Sequence, residues 1–284
     1  MDLLVLSIMI KNEESSLIKT LKSFVDAGIF NIFIYDTGST DKSVEIVKKY
    51  FDENGLNGIV VEEPFENFSI SRNRCINQVK KRFIDTKVIF NLMIDSEWYG
   101  NNVDDLLNFC NEVKDEKFDC YSINTKHHQS YYKQTILFRI NSNVYYKGPV
   151  HEYVISENRS PRCPKFFYIV HSRNEEGQSK SKDRWYRDLG ILIKECNLNN
   201  DPRDVFYLAQ TYECLGDDEN ALKYYEKRSS MGGFLEEKFM AMYRAGMIAE
   251  KIKKSPVEYY LKAYGIRPTR CESLTKLAKY YDDP

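Results

Sequence analysis

The first half of the chain alternates between two hydrophobic periods. Apolar residues run almost unbroken through Leu3–Ile10, and a helical spacing follows over residues 14–28, closed by Gly28. The same alternation predicts strands at 31–39, 58–64 and 87–95, and helices at 41–55 and 69–82, with Thr40 or Asp41 placed to cap the first of these two helices. A further helix is predicted after Asp105. Residues 117–128 and 131–154 then alternate with period two, as antiparallel strands added to the sheet would, and 166–172 reads as one more short strand. Strands separated by helices of this length predict an α/β fold with a mostly parallel, Rossmann-like central sheet.

From about Ser179 no strand pattern appears, so the chain divides at 1–178 and 179–284. In the second part, Leu208, Ala209, Tyr212, Gly216, Ala221 and Tyr225 fall at the offsets of a tetratricopeptide helix-turn-helix unit. Tyr260, Ala263 and Pro268 repeat the scheme further on, and residues 271–281 supply a closing helix. Two units are few for an independent solenoid, which predicts an all-α repeat region that packs on the α/β part.

Composition narrows the partners. The 41 Lys and Arg against 42 Asp and Glu give a formal charge of −1, which disfavours nucleic acid as a bulk partner. Seven cysteines at scattered positions, with no CxxC pair, suggest reduced thiols and a reducing compartment. The apolar opening is too short for a membrane span and lacks a basic leader, and no window approaches 18 apolar residues. A cytoplasmic protein without a transmembrane segment is therefore expected; oligomeric state is not legible.

Three acidic stretches fall where a parallel sheet binds ligands, at the carboxyl ends of its strands. They are Glu13 after the first strand, Asp36 with Gly38 after the second, and Asp95-Ser96-Glu97 after the fourth. Ser71, Arg72 and Asn73 are read as opening a helix, a setting that suits an anionic or polar ligand.

The order of these stretches resembles the inverting family-2 glycosyltransferases, which have the A-type nucleotide-sugar-binding fold. The matching pieces are "SIMIKNEE", "YDTGSTDKS", "SRN", "MIDSE", "GPVHEYV" and "HSRNEEGQSKSKDRWYRDL", spanning residues 1–190. The resemblance implies that Asp36 contacts the uracil or ribose of a UDP-sugar, that Glu13, Arg72, Asn73 and Ser96 line the same pocket, and that Asp95 and Glu97 stand in place of the family's Asp-x-Asp pair. Glu97 departs from the commonest form of that pair but is still an oxygen donor for a divalent cation, manganese or magnesium, gripping the diphosphate. His171 is implied as a further metal ligand. Glu152 is implied as the base that deprotonates the acceptor hydroxyl, with His151 its rival because imidazole titrates near working pH. Arg173, Lys182, Arg184 and Arg187 are candidates to steady the diphosphate, and His127 and His128 could border the acceptor.

The function implied is metal-dependent transfer of a hexose from a UDP-sugar to a hydroxyl of a glycan or protein, with inversion by single displacement. Two alternatives stand beside it. A nucleotidyltransferase also sets carboxylates beside a nucleotide, but "MIKNEES" lacks the glycines of a phosphate loop. A protein-interaction scaffold on a decayed transferase predicts damage to the acidic set, yet Asp36, Asp95, Glu97 and Glu152 are all present.

Overall fold

The computed structural model describes residues 3–171 and 181–282. By its internal contacts the chain forms two compact units, one of Met1–Gly148 with Glu152–Asn174 and one of Pro149–His151 with Glu175–Pro284.

The first unit is built on β1 (Leu4–Ile10), β2 (Asn31–Asp36), β3 (Asn57–Glu62) and β4 (Phe90–Asp95), joined by α1 (Leu17–Val25), α2 (Ser43–Asn54) and α3 (Phe68–Phe83). These four strands lie parallel in the order β3-β2-β1-β4. Successive side chains of β1 feed opposite cores. Leu4, Leu6, Ile8 and Ile10 pack with α1, α2 and α4 (Val103–Val113), while Val5 joins Phe33, Tyr35 and Met93 beneath α3. A strand covered on both faces has no use for polar alternation, which is why β1 reads as a continuous apolar run.

The sheet continues through β7 (Ser130–Arg139), β6 (Cys120–His127), β10 (Tyr168–His171) and β5 (Trp98–Asn101). Only Ser96 and Glu97 separate β4 from β5, yet three strands lie between them in the sheet. Three residues reach about 10 Å at most, whereas four strand spacings of about 4.8 Å come to roughly 19 Å. The sheet must therefore curl until β5 returns towards the end of β4. Helix α1 holds the return in place: the Thr20 hydroxyl donates to the Ser96 carbonyl, and the Gly100 N–H donates to Ser23 Oγ (3.1 Å). Gly100 is required there, since a Cβ would lie 2.8 Å from the Phe24 ring and 2.7 Å from Val103.

Three details differ from the pattern of the sequence. Residues 98–101 form a strand that their short, non-alternating sequence hides. β8 (Tyr145–Lys147) and β9 (Tyr153–Ile155) pair only with each other, as a separate hairpin, instead of extending the sheet. Helix α3 starts at Phe68 with Asn67 as its cap, Oδ1 accepting from the Ile70 N–H (2.8 Å), so Arg72 sits a turn inside the helix and does not open it.

The second unit carries α5 (Ser181–Leu198), α6 (Pro202–Leu215), α7 (Asp218–Ser230), α8 (Leu235–Lys251), α9 (Val257–Ile266) and α10 (Glu272–Asp282), making ten helices among the described residues. Ala209, Ala221, Tyr225, Tyr260 and Ala263 are all buried, and Tyr212 stacks on Tyr224 at 5.6 Å. No described helix is long and apolar enough to cross a membrane.

Candidate active site

In the order β3-β2-β1-β4, the chain turns one way from β1 to β2 and the other way to β4, so a crevice opens at the carboxyl ends of these strands. Glu13, Asp36 and Asp95 all stand at that end.

The first two loops are stitched together by their own polar groups. Asn12 donates its N–H to Ser39 Oγ (2.9 Å) and accepts from the Thr40 N–H (2.7 Å). The Glu13 N–H donates to Ser43 Oγ (2.7 Å), and the Glu13 carboxylate accepts from the Ser16 hydroxyl (2.6 Å). Asp36 is almost fully buried. Its carboxylate accepts from the Gly38 N–H (3.1 Å) and from the N–H and hydroxyl of Ser39, which shapes the turn that Gly38 permits at φ +100°. The residue expected to touch the nucleoside therefore also builds the loop beside it.

Arg72 lies at the centre of the crevice. Its Nε donates to Glu152 Oε1 (2.6 Å) and its Nη2 donates to Asp95 Oδ1 (2.9 Å), and the guanidinium packs against the Tyr146 ring at 5.5 Å. One cation on α3 thus joins the end of β4 to the residue just before β9. The side chains of Arg72 and Glu152 are 9% and 13% exposed, and that of Asp95 is 37% exposed. Burial works against the charge on Arg72, but the Asp95 and Glu152 carboxylates more than offset it and hold the guanidinium protonated. Burial also pushes the Tyr146 phenol well above its ordinary range, so the ring faces the site as a neutral wall. Nothing in the sequence marks Tyr146; it alternates into a core like any strand tyrosine.

Asn73 faces the same hairpin with a different task. Its Nδ2 donates to the Tyr146 carbonyl (2.8 Å) and its Oδ1 accepts from the Tyr146 N–H (2.7 Å). This two-point clamp pins β8 to α3 and so fixes the approach of the strand that leads to Glu152. Ser96 is buried, with its carbonyl held by Thr20.

Asp95 and Glu97 are two partly exposed carboxylates on the rim, a hard-oxygen pair suited to a divalent cation that completes its shell with phosphate and water oxygens. Among the described residues no group of three His, Cys, Asp or Glu side chains is arranged to hold a metal. His171, the further ligand that the sequence implies, stands at the end of β10. Its imidazole is stacked on His127 at 4.7 Å and lies 5.7 Å from Trp98, because β10 pairs with β6 on one side and β5 on the other. His128 continues the row, 4.4 Å from His127.

His151 belongs to the helical unit by its contacts. Its ring stacks on Tyr207 at 4.0 Å; desolvation of the stacked face, then the Arg203 and Arg184 charges, lower its pKa to about 4. The residue keeps an exposed edge, which moderates the desolvation, but both arginines press in the same direction, towards neutral imidazole. Arg187 pairs with Asp188 of its own helix (3.3 Å). Arg173 lies outside the described residues, as does the side chain of Lys182.

Comparison with known proteins bears on the family and the fold. The sequence profile of glycosyl transferase family 2 matches residues 6–152, just over half of the chain. The chain belongs to that family. It is 25% identical over 232 residues to the SPbeta prophage-derived glycosyltransferase SunS of Bacillus subtilis (strain 168), and equally to glycosyltransferase SunS of Bacillus phage SPbeta. The match covers 78% of this chain and 51% of each relative, so the chain spans about half the length of the curated relatives it matches. Its fold is similar to that of S. aureus TarS residues 1–349 in a complex with UDP-GlcNAc, at a TM-score of 0.50 and 15% identity, covering 94% of this chain and 92% of that one.

Proposed function

We propose that this family-2 glycosyltransferase moves a hexose from a UDP-sugar to a hydroxyl of a glycan or protein, inverting the anomeric centre in a single displacement. The observation that carries the reading is the Asp95–Arg72–Glu152 chain of ion pairs. It sets one carboxylate at the donor rim and another, nearly buried, within the same guanidinium's reach. The UDP-GlcNAc bound by the similarly folded TarS supports a UDP-sugar as the donor class.

Glu152 serves as the base. Its Oε1 is engaged by Arg72 Nε, so Oε2 is the oxygen that accepts the proton from the acceptor hydroxyl as that oxygen attacks the anomeric carbon. Asp36 and Glu13 hold the nucleoside end through the loops they organise. A divalent cation, manganese or magnesium, held by Asp95 and Glu97, would supply charge neutralisation to the departing UDP. The buried Ala and Tyr positions of the helical unit suit a tetratricopeptide-like stack, and such surfaces hold extended peptides, which favours a protein acceptor.

A panel of UDP-hexoses incubated with the chain and Mn²⁺ tests the reading directly. At least one donor should release UDP, chelator should stop the release, and Glu97→Ala should reduce it more than tenfold. An undiminished rate in Glu97→Ala would remove that residue from the metal site, and no release from any donor would count against the transferase reading.

A further inference from the structure

We infer that the outward face of β7, β6, β10 and β5 docks the first unit on an anionic lipid surface. Strand pairing lays that face out in two rows. Tyr131 of β7 stands beside Lys126 of β6, then Val170 of β10, then Tyr99 of β5. In the next row Lys133 stands beside Asn124, Tyr168 and Asn101. Successive side chains point to opposite faces of a sheet, and the residues between these belong to the other face, where Ile123, Ile169 and Trp98 are buried in the core with α1 and α4. The two rows are open to solvent instead. Tyr131 is 63% exposed, Lys133 and Asn101 are exposed, and the other five residues are half-buried.

Neither row holds an acidic residue, in a chain whose acids and bases nearly cancel. Further cations and rings join at the margins. Lys19 of α1 lies over the Tyr99 ring at 4.7 Å, and Lys165, just before β10, lies 5.1 Å from the ring of Phe166, which is 58% exposed. Lys126 lies over Tyr131 at 5.5 Å, and Tyr131 meets Tyr168 edge to face at 6.4 Å. Four ammonium groups, with no acid in the rows they border, attract a negatively charged surface. Lysine is a flexible point charge, suited to headgroups that diffuse in a plane, whereas a fixed phosphate or carboxylate geometry is read by arginine, which the rows lack. The rings decide between a lipid and a soluble polyanion. A soluble polyanion would pair with the lysines and leave Phe166 and Tyr131 wet. A bilayer interface takes both, because tyrosine and phenylalanine settle at headgroup level while lysine stems lie along the apolar surface and keep their charge among the phosphates. The crevice at the end of β4 belongs to the same sheet, so a unit docked this way works beside a membrane.

The test is co-sedimentation of the full chain at low salt with two kinds of vesicle, phosphatidylcholine alone and an equal mixture of phosphatidylcholine and phosphatidylglycerol. The chain should sediment with the mixture and stay free with phosphatidylcholine alone, and added salt should release it. A lysine near such a surface is worth about fivefold in affinity, so Lys126→Gln with Lys133→Gln should weaken binding roughly twentyfold. Phe166→Ser with Tyr131→Ser should weaken it severalfold at unchanged charge, and should leave any binding to soluble polygalacturonate unaltered. Both pairs should melt and release UDP as the unsubstituted chain does in the absence of vesicles, which shows that neither loss comes from misfolding. No binding to the mixed vesicles, or binding undiminished in both pairs, would overturn the inference. A lysine pair that loses polygalacturonate and vesicles alike, beside a ring pair that keeps both, would make the face a polyanion site and overturn the lipid.

Discussion

Arg72→Ala is expected to lower the melting temperature by roughly 5–10 °C and to reduce UDP release at least a hundredfold. The guanidinium is nearly buried and satisfies two carboxylates at once, at 2.6 and 2.9 Å. Removing one partner of a buried ion pair typically costs about 3–5 kcal/mol, because the charge left behind has lost both water and counter-ion. Asp95 is more than a third exposed and recovers solvation, so the penalty falls mainly through Glu152, and we take roughly 2–3 kcal/mol. At about 2–4 °C per kcal/mol for a domain of this size, that gives the stated shift. Turnover suffers separately, since Glu152 loses the Nε–H that orients it. Arg72→Lys sharpens the test: it restores a positive charge without the planar fork, and one ammonium cannot meet Oε1 of Glu152 and Oδ1 of Asp95 in the same geometry. Calorimetric melting should therefore recover in part while UDP release does not. Equal recovery of both would mean that charge alone matters at this position.

How far this centre was legible in the sequence depends on the range of the interaction involved. Hydrophobic period located the four parallel strands and the helices between them, because a strand buried on both faces and an amphipathic helix each write their burial into local order. The strand-end rule then places Glu13, Asp36 and Asp95 at one end of the sheet. What the period could not show was pairing. Trp98–Asn101 is a strand only because β10, some 70 residues later, aligns beside it, and four residues carry no alternation to detect. The β8–β9 hairpin has the period of a sheet strand, yet its inner face packs under α3 instead. His171 shows the same limit for function. A late histidine at a strand end suggests a metal ligand in one dimension, but one dimension does not show that the neighbouring strands bring His127 and Trp98 against its ring.

Arg72 and Asn73 illustrate the complementary case. Their place beside the acidic stretches was legible, but the contacts they make there were not. The expectation relied on the free N–H groups of a helix start, whereas the helix begins at Phe68 and both residues act through side chains that reach 70 to 80 positions along the chain. Long-range side-chain pairing leaves no periodic trace. The same holds for Tyr207, whose partner His151 is separated from it by the whole connection between the units.

Glu152→Gln is expected to cut turnover by two to four orders of magnitude while leaving UDP affinity within about twofold. The size follows from general-base catalysis, which contributes typically 10²–10⁴-fold, or about 3–5 kcal/mol of barrier. The substitution preserves shape. A glutamine Oε1 can still accept from Arg72 Nε, so the hairpin and the crevice should keep their form, but the amide nitrogen that replaces Oε2 cannot take a proton from an incoming hydroxyl. UDP binding is the control because it reports the loops around Asp36 and Glu13, which are bonded to one another and not to Glu152. Isothermal titration with UDP and Mn²⁺ against UDP-release kinetics separates the two quantities. A fall in kcat at constant affinity places Glu152 in the transition state. A collapse of affinity with kcat would instead make the Arg72–Glu152 pair a strut of the crevice, and the proton would then have to leave by another group, with the neutral imidazole of His151 the nearest candidate in sequence.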